Sequence, residues 1–152
     1  MAGEESPRCF TNGMTDFDDA TFSTALFNHR RIAVVGLSPR PERASHGVTR
    51  YMIEAGYEIT GVRPGARSIL ERPVYSDLDQ VPGPIEIVDV FRRAEAVPAI
   101  VDAAIRRQAR VLWLQLGIEH PEAEPRARAA GIIVVPNRCI LIEHRRLQRT
   151  AG

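Results

Sequence analysis

Short, continuous apolar runs alternate along the chain with segments whose apolar residues recur every three or four positions. Runs rich in Val, Ile and Leu, and bounded by Gly, Pro or polar residues, are typical of strands that are buried on both faces. Apolar residues at intervals of three and four predict helices that bury one side. Strands are predicted at residues 32–36, 57–62, 85–90, 111–114 and 132–135, with a shorter extended piece at 74–75.

Helices are predicted between these strands. Ser45 is expected to cap the second helix, because a serine oxygen can accept hydrogen bonds from the free amides of a first turn. Gly56 and Gly131 follow helical segments at the position where glycine commonly ends a helix, and Pro98 suits a first turn. The predicted helical segments are 16–28, 45–56, one beginning near 98, 121–130 and about 140–147.

The alternation of strands and helices predicts an α/β protein with a three-layer Rossmann-like fold and a mainly parallel sheet. A length of 152 residues fits a single domain. Residues 1–14 are polar and are expected to form a flexible tail, with the domain over residues 15–150. Ligands of such open sheets bind outside the carboxyl ends of the strands, so the residues that follow each strand are the candidates for function.

Composition excludes several kinds of site and disfavours some partners. The formal net charge of +1 does not favour a nucleic acid as partner. All twenty basic residues are arginines, which excludes a P-loop lysine and a Schiff-base lysine. No run approaches the ~20 apolar residues of a membrane span, and two cysteines do not make a disulfide framework. We therefore expect a cytoplasmic protein that does not act at a membrane.

Neither a metal site nor a catalytic set is predicted. The four histidines, at positions 29, 46, 120 and 144, show no paired spacing of the kind that zinc ligands have. No G-x-S-x-G sequence is present, and no order of Ser, His and Asp can be assigned from spacing.

The residues after the first strand favour binding of a phosphate group. Gly36 allows a close approach of the backbone to a ligand, Ser38 and Ser45 offer hydroxyl groups, and the following helix presents its N-terminus. The loop between them carries Arg40 and Arg43 and lacks the further glycines of the G-x-G-x-x-G dinucleotide fingerprint. The alternative is that Gly36 only forms a turn and that Ser45 only caps a helix.

The second strand ends at Arg63-Pro64, where NAD-binding domains usually have an acidic residue for the ribose hydroxyls. An arginine at this place would instead pair with a ribose phosphate. Both NADP and coenzyme A carry such a phosphate. A solvated surface arginine is the alternative.

Later strand ends add an aromatic residue, further arginines and a thiol. Phe91 can pack against an adenine, with plain core packing as the alternative, and Arg92 or Arg93 can reach a phosphate. Asp89 lies near the end of an apolar strand and is expected to pair with an arginine of a strand end or with a backbone amide. Cys139 follows the last strand, either as a small buried side chain or as a thiol that faces the ligand.

In combination, these sequences resemble those of the small stand-alone bacterial CoA-binding-domain proteins, which are similar to the CoA-binding domain of the succinyl-CoA synthetase alpha subunit. The resemblance covers about residues 20–147. It is carried by V-V-G-L-S at 34–38, D-V-F-R-R at 89–93, W-x-Q-x-G at 113–117 and R-C at 138–139, together with Pro41, Arg43, Ser45, Gly56, Tyr57, Pro64, Glu143 and His144.

The resemblance implies that coenzyme A lies across the strand ends. Carried over by position, Gly36, Ser38, Arg43 and Ser45 would hold the pyrophosphate, while Arg63 and Pro64 would lie near the adenosine. Phe91 and Arg92 would lie near the adenine or its ribose. The residues expected to border the ligand are Gly36, Leu37, Ser38, Arg43, Ser45, Arg63, Pro64, Phe91, Arg92, Gln115, Gly117 and Cys139.

The function expected from the sequence is binding of coenzyme A or an acyl-CoA by a non-catalytic binding or regulatory module. The synthetase carries its phosphorylated histidine in a second domain, which the resemblance does not reach, so synthetase activity is not expected from it. An NADP-dependent oxidoreductase, or another nucleotide-binding enzyme, is the main alternative. A thiol-linked role for Cys139, and an interaction protein with an unidentified protein partner, also stay open.

Overall fold

A computed structural model describes residues 18–151, with side chains up to residue 149. The predicted tail at 1–14, Cys9, and the first residues of the predicted helix at 16–28 lie outside the described residues. Within the described residues, five α-helices and seven strands follow one another as α1 (Asp19–Phe27), β1 (Arg31–Val35), α2 (Ala44–Glu54), β2 (Glu58–Val62), β3 (Ser68–Ile69), β4 (Arg72–Tyr75), β5 (Ile87–Val90), α3 (Val97–Arg106), β6 (Val111–Leu114), α4 (Glu124–Ala129), β7 (Ile133–Val135) and α5 (Ile140–Ala151).

The strands form one sheet in the order β3-β4-β2-β1-β5-β6-β7. Every neighbouring pair is parallel except β3 and β4, which are antiparallel. The chain leaves β1 towards β2 on one side and later returns to place β5 on the other side of β1. The carboxyl ends of β1 and β5 therefore flank the point at which strand order reverses, where open α/β sheets bind their ligands.

Helices cover both faces of the sheet. Residues of α3 and α4 pack with Val88 and Val90 on one face, and residues of α1, α2 and α5 pack with Ile87 and Trp113 on the other. Burial on both faces explains why β1, β5 and β6 are apolar in the sequence apart from Arg31 and Asp89. The predicted three-layer, single-domain Rossmann-like fold with a mainly parallel sheet is confirmed.

Two local elements differ from the prediction. The piece expected at 74–75 is one arm of the hairpin β3–β4, whose turn holds Leu70 and Glu71 at φ 55° and 58°. Hairpin turns with this backbone conformation are usually recognised in a sequence by Asn-Gly or Asp-Gly, and neither pair is present in this turn. The helix predicted at 121–130 begins only at Glu124, since residues 121–123 form a turn in which Glu124 Oε2 accepts a hydrogen bond from His120 N–H.

Within the described residues, none of the helices has the length and the apolar composition that a bilayer crossing demands.

Candidate functional site

A crevice with two connected lobes opens at the carboxyl ends of β1, β2, β5 and β6. One lobe, of about 770 Å³, lies at the ends of β1, β2 and β5. The other, of about 490 Å³, lies at the ends of β5 and β6. The two lobes share Ala44, Phe91, Arg92 and Arg93, so they form one continuous surface. Each volume falls in the range of pockets that bind small molecules.

The larger lobe is dominated by arginines, and we call it the arginine lobe. Arg40 and Arg43 enter it from the loop after β1, Arg63 from the end of β2, and Arg92 and Arg93 from the end of β5. Among the described residues that line it, none carries a carboxylate. The remaining lining residues are Gly36, Ser38, Ala44, Ser45, Pro64 and Phe91.

The guanidinium groups of this lobe are largely uncommitted. Arg63 Nη1 donates to the Leu37 carbonyl over 3.4 Å. The side chains of Arg40, Arg43, Arg92 and Arg93 form neither a hydrogen bond nor an ion pair with any residue in the described range 18–149. Four unpaired positive charges beside the first turn of α2 create a strong attraction for a polyanion, because the helix N-terminus adds its own partial positive charge.

The loop after β1 is held close to the end of β5. Gly36 has φ of 90°, and a Cβ atom at this position would lie 2.5 Å from the Phe91 carbonyl oxygen and 3.0 Å from Arg92 Cδ. Only glycine fits there without displacing backbone. The absence of a side chain at Gly36 thus allows the loop after β1 to lie against the end of β5, which carries Arg92 and Arg93.

Ser45 does not cap α2. The N-cap residue is Arg43, and Ser45 lies in the first helical turn, where its Oγ accepts a hydrogen bond from Ser38 N–H over 2.9 Å. Ser38 Oγ in turn accepts a hydrogen bond from Arg40 N–H over 3.1 Å. The predicted cap was wrong because the chain turns into the helix two residues earlier, and the hydroxyl group fixes the loop after β1 instead.

The smaller lobe is mainly apolar, and we call it the apolar lobe. Val48, Phe91, Leu116, Ile118 and Cys139 contribute to its wall, beside Ala44, Arg92, Arg93, Ala94, Gln115 and Gly117. Gly117 N–H donates to Asn137 Oδ1 over 2.7 Å, which ties the loop after β6 to the loop after β7. Cys139 is half-buried at the start of α5 and is a free thiol.

Asp89 is paired with a side chain that the sequence did not suggest. Its Oδ1 accepts a hydrogen bond from Gln115 Nε2, and the expected arginine or backbone partner is absent within the described residues. The carboxyl group is 1% exposed. Burial raises the pKa of Asp89 to about 7, and the hydrogen bond from Gln115 partly opposes that rise.

The crevice collects all of the residues that the sequence proposed for the ligand except Leu37. The Leu37 side chain is fully buried against Gly61, so this residue faces the core and not the crevice. The proposed set omitted Arg40, Arg93 and the apolar residues Val48, Leu116 and Ile118. Arg40 and Arg93 adjoin proposed residues in the sequence, whereas the apolar wall had no signal that separates it from ordinary core.

No group of three or more His, Cys, Asp or Glu side chains that could hold a metal ion occurs in residues 18–149.

A mainly parallel sheet with an arginine-rich crevice at the point where strand order reverses defines a Rossmann-like α/β domain. The chain belongs to the family described as CoA binding domain, whose model matches residues 30–145. The resemblance found in the sequence is therefore confirmed.

Known sequences place this domain both alone and inside larger proteins. The uncharacterized protein YneT of Bacillus subtilis (strain 168) is 40% identical over 125 residues, which cover 82% of this chain and 93% of YneT. The alpha subunit of the ADP-forming acetate–CoA ligase I of Pyrococcus furiosus is 26% identical over 94 residues. That match covers 58% of this chain and 20% of the ligase subunit.

Solved structures share the fold closely. A hypothetical protein from Pyrococcus horikoshii OT3 is 34% identical and superposes with a TM-score of 0.85, covering 95% of this chain and 99% of its own. Prb, a PH1109 protein redesigned for binding, is 36% identical with a TM-score of 0.85, covering 88% and 94%. A protein from Thermus thermophilus is 34% identical with a TM-score of 0.82, covering 86% and 99%.

Proposed function

We propose that this protein binds coenzyme A or an acyl-CoA along the whole crevice, as a binding or regulatory module that does not transform its ligand. The proposal depends on one observation. The arginine lobe is continuous with the apolar lobe at the point where strand order reverses. Coenzyme A has the same two-part chemistry. Its adenosine end carries a 3′-phosphate and a pyrophosphate, and its pantetheine arm is long and uncharged, with methyl and methylene groups around two amides.

The phosphate groups fit the arginine lobe. The loop of Gly36 and Ser38 and the first turn of α2 at Ser45 would face the pyrophosphate, with Arg43 as a cationic partner. Arg63 and Pro64 would border the adenosine and its 3′-phosphate, and Phe91 would offer an apolar face to the adenine.

The arm of the ligand fits the apolar lobe. From the shared wall at Phe91 and Arg92, the lobe runs past Gln115 and Gly117 to Cys139. An arm that starts at the pyrophosphate would therefore end near the half-buried thiol of Cys139. Family membership supports the same ligand class.

Isothermal titration with coenzyme A, dephospho-CoA and NADPH tests the proposal. Coenzyme A is expected to bind more tightly than dephospho-CoA, since only the former carries the 3′-phosphate that the arginines would pair with. Absence of heat and of any rise in melting temperature with coenzyme A would refute it. Tighter binding of NADPH than of coenzyme A would favour the dinucleotide alternative.

The non-catalytic part of the proposal has its own test. Acetyl-CoA incubated with the protein should be recovered intact by mass spectrometry, in the amount found without protein. Loss of the thioester at a rate proportional to protein concentration would show that the module is an enzyme.

A further inference from the structure

Asp89 is a buried carboxyl group that the proposed phosphate site does not use. It is the third residue of β5, between Val34 of β1 and Trp113 of β6, and it is 1% exposed. One oxygen accepts from Gln115 Nε2, while Oδ2 has no hydrogen-bond partner in the described part of the chain. Burial of such a group carries a substantial cost. Within the described residues, the side-chain amide of Gln115 is the one polar group that is hydrogen-bonded to the Asp89 carboxyl group.

Gln115 is held in a single orientation by two contacts. Its Nε2 donates to Asp89, and its Oε1 accepts a hydrogen bond from Ile140 N–H over 3.3 Å at the start of α5. A flipped amide would set its N–H group against the Ile140 N–H, and this contact would be repulsive. The side chain is 4% exposed, so water does not compete freely for these bonds.

In this arrangement, one of the two N–H donors of the Gln115 amide is not used within the described residues. Of the two Nε2 hydrogens, one is committed to Asp89, and the other has no acceptor among residues 18–149. Gln115 lines the apolar lobe, where the neighbouring amides of Gly117 and Ile118 already donate to Asn137 Oδ1 and to the Gln115 carbonyl. A carbonyl oxygen that enters this lobe loses water and requires a donor there.

We propose that Gln115 donates its free Nε2 hydrogen to a carbonyl oxygen on the arm of the ligand, and that Asp89 is the positioning residue that holds the Gln115 amide for this contact. The inference rests on the proposed function and adds which part of the ligand the apolar lobe recognises. The carbonyl can belong to an amide of the pantetheine arm, which every coenzyme A has, or to the thioester, which only an acyl-CoA has.

Calorimetric titration of five proteins, the unmodified protein and four variants, with three ligands tests this. The ligands are coenzyme A, acetyl-CoA and 3′-phospho-ADP, which keeps the phosphates and lacks the arm. Gln115→Leu is expected to weaken the binding of acetyl-CoA about tenfold, the usual effect of one lost hydrogen bond, and to leave the binding of 3′-phospho-ADP unchanged. Asp89→Val should weaken the same binding to a similar extent. Asp89→Asn keeps an acceptor oxygen for Gln115, so it should bind the ligands with the arm as tightly as the unmodified protein does.

Thr49→Val is the matched control, because Thr49 is 1% exposed and its Oγ1 also lacks a partner within the described residues. It should change neither affinity. A larger loss for acetyl-CoA than for coenzyme A in Gln115→Leu would assign the contact to the thioester, and equal losses would assign it to an arm amide.

Equal losses for acetyl-CoA and 3′-phospho-ADP, or no loss for acetyl-CoA and coenzyme A alike, would overturn the inference and leave the proposed function standing. Failure of the unmodified protein to bind any of the three ligands would overturn both. Should Asp89→Val not fold, the Gln115→Leu and Asp89→Asn titrations decide alone.

Discussion

The Oγ of Ser45, in the first turn of α2, accepts a 2.9 Å hydrogen bond from the backbone N–H of Ser38, in the loop that leaves β1. Both residues are buried. The bond uses the acceptor side of the Ser45 hydroxyl and leaves its hydrogen to donate to a phosphate oxygen. One hydroxyl group thus holds the loop against the helix and takes part in the proposed phosphate site.

Replacing Ser45 by alanine should therefore affect stability and binding together. The Ser38 amide would lose its buried acceptor, and we expect the free energy of unfolding to fall by about 1–2 kcal/mol. Coenzyme A binding should weaken as well. Urea denaturation and calorimetry measure the two effects. Ser76→Ala removes an exposed hydroxyl that bonds only Gln80, and it should change neither quantity. A stable variant with full affinity would contradict the role given to the bond.

Gly36→Ala should damage both the fold and the site. Its Cβ would meet the Phe91 carbonyl at 2.5 Å, in a backbone conformation that alanine disfavours. We expect a loss of roughly 1–3 kcal/mol in the free energy of unfolding, and little or no binding of coenzyme A.

Gly47→Ala is the control for this substitution. Gly47 lies inside α2, and no atom stands within 4 Å of its added Cβ. The variant should be more stable by about 0.5–1 kcal/mol and should bind normally. Comparable behaviour of the two alanine variants in thermal melts and titrations would show that the close approach at Gly36 is unimportant.

Arg63 is expected to select for the 3′-phosphate. In Arg63→Gln, the affinity for coenzyme A should fall ten- to a hundredfold, since a charge-assisted hydrogen bond is worth about 1.5–3 kcal/mol. The affinity for dephospho-CoA should change little. The comparison is Arg72→Gln, because Arg72 is a half-buried arginine outside the crevice whose side chain donates a hydrogen bond to the Glu71 carbonyl. If both ligands weaken equally in Arg63→Gln, the arginine contacts another part of the nucleotide.

Asp89 should make stability depend on pH. Burial raises its pKa from 3.8 to about 7, so the folded state favours the neutral carboxyl group. Its stabilising contribution is complete below about pH 4 and is lost as the pH rises towards 7. Each pKa unit is worth about 1.36 kcal/mol, which gives a total of about 4 kcal/mol.

Asp89→Asn removes this titration. The difference in unfolding free energy between the original protein and the variant should move in favour of the variant from about pH 4 to about pH 7, and then stay constant. Chemical denaturation across this range measures it. A difference that does not vary with pH would mean that Asp89 is ionised throughout.

Much of the fold could be read from the order of residues. Runs of mainly apolar residues predicted β1, β5, β6 and β7 within two residues of their ends, because strands buried on both faces are mainly apolar. The hairpin β3–β4 was not predicted, because its turn is formed by Leu70 and Glu71 and because β4 contains Pro73. The start of α2 was misplaced because Ser45 has the chemistry of a cap without the position of one.

The sequence alone determined the class of fold and the residues that follow each strand, since periodicity and strand ends are local properties of the chain. Tertiary structure decided which of those residues face one another. It turned Leu37 into the core, joined the arginine lobe to the apolar lobe, and paired Asp89 with Gln115, which is 26 positions away. Such pairings depend on strand order and register in the sheet, and no local pattern encodes which strands become neighbours.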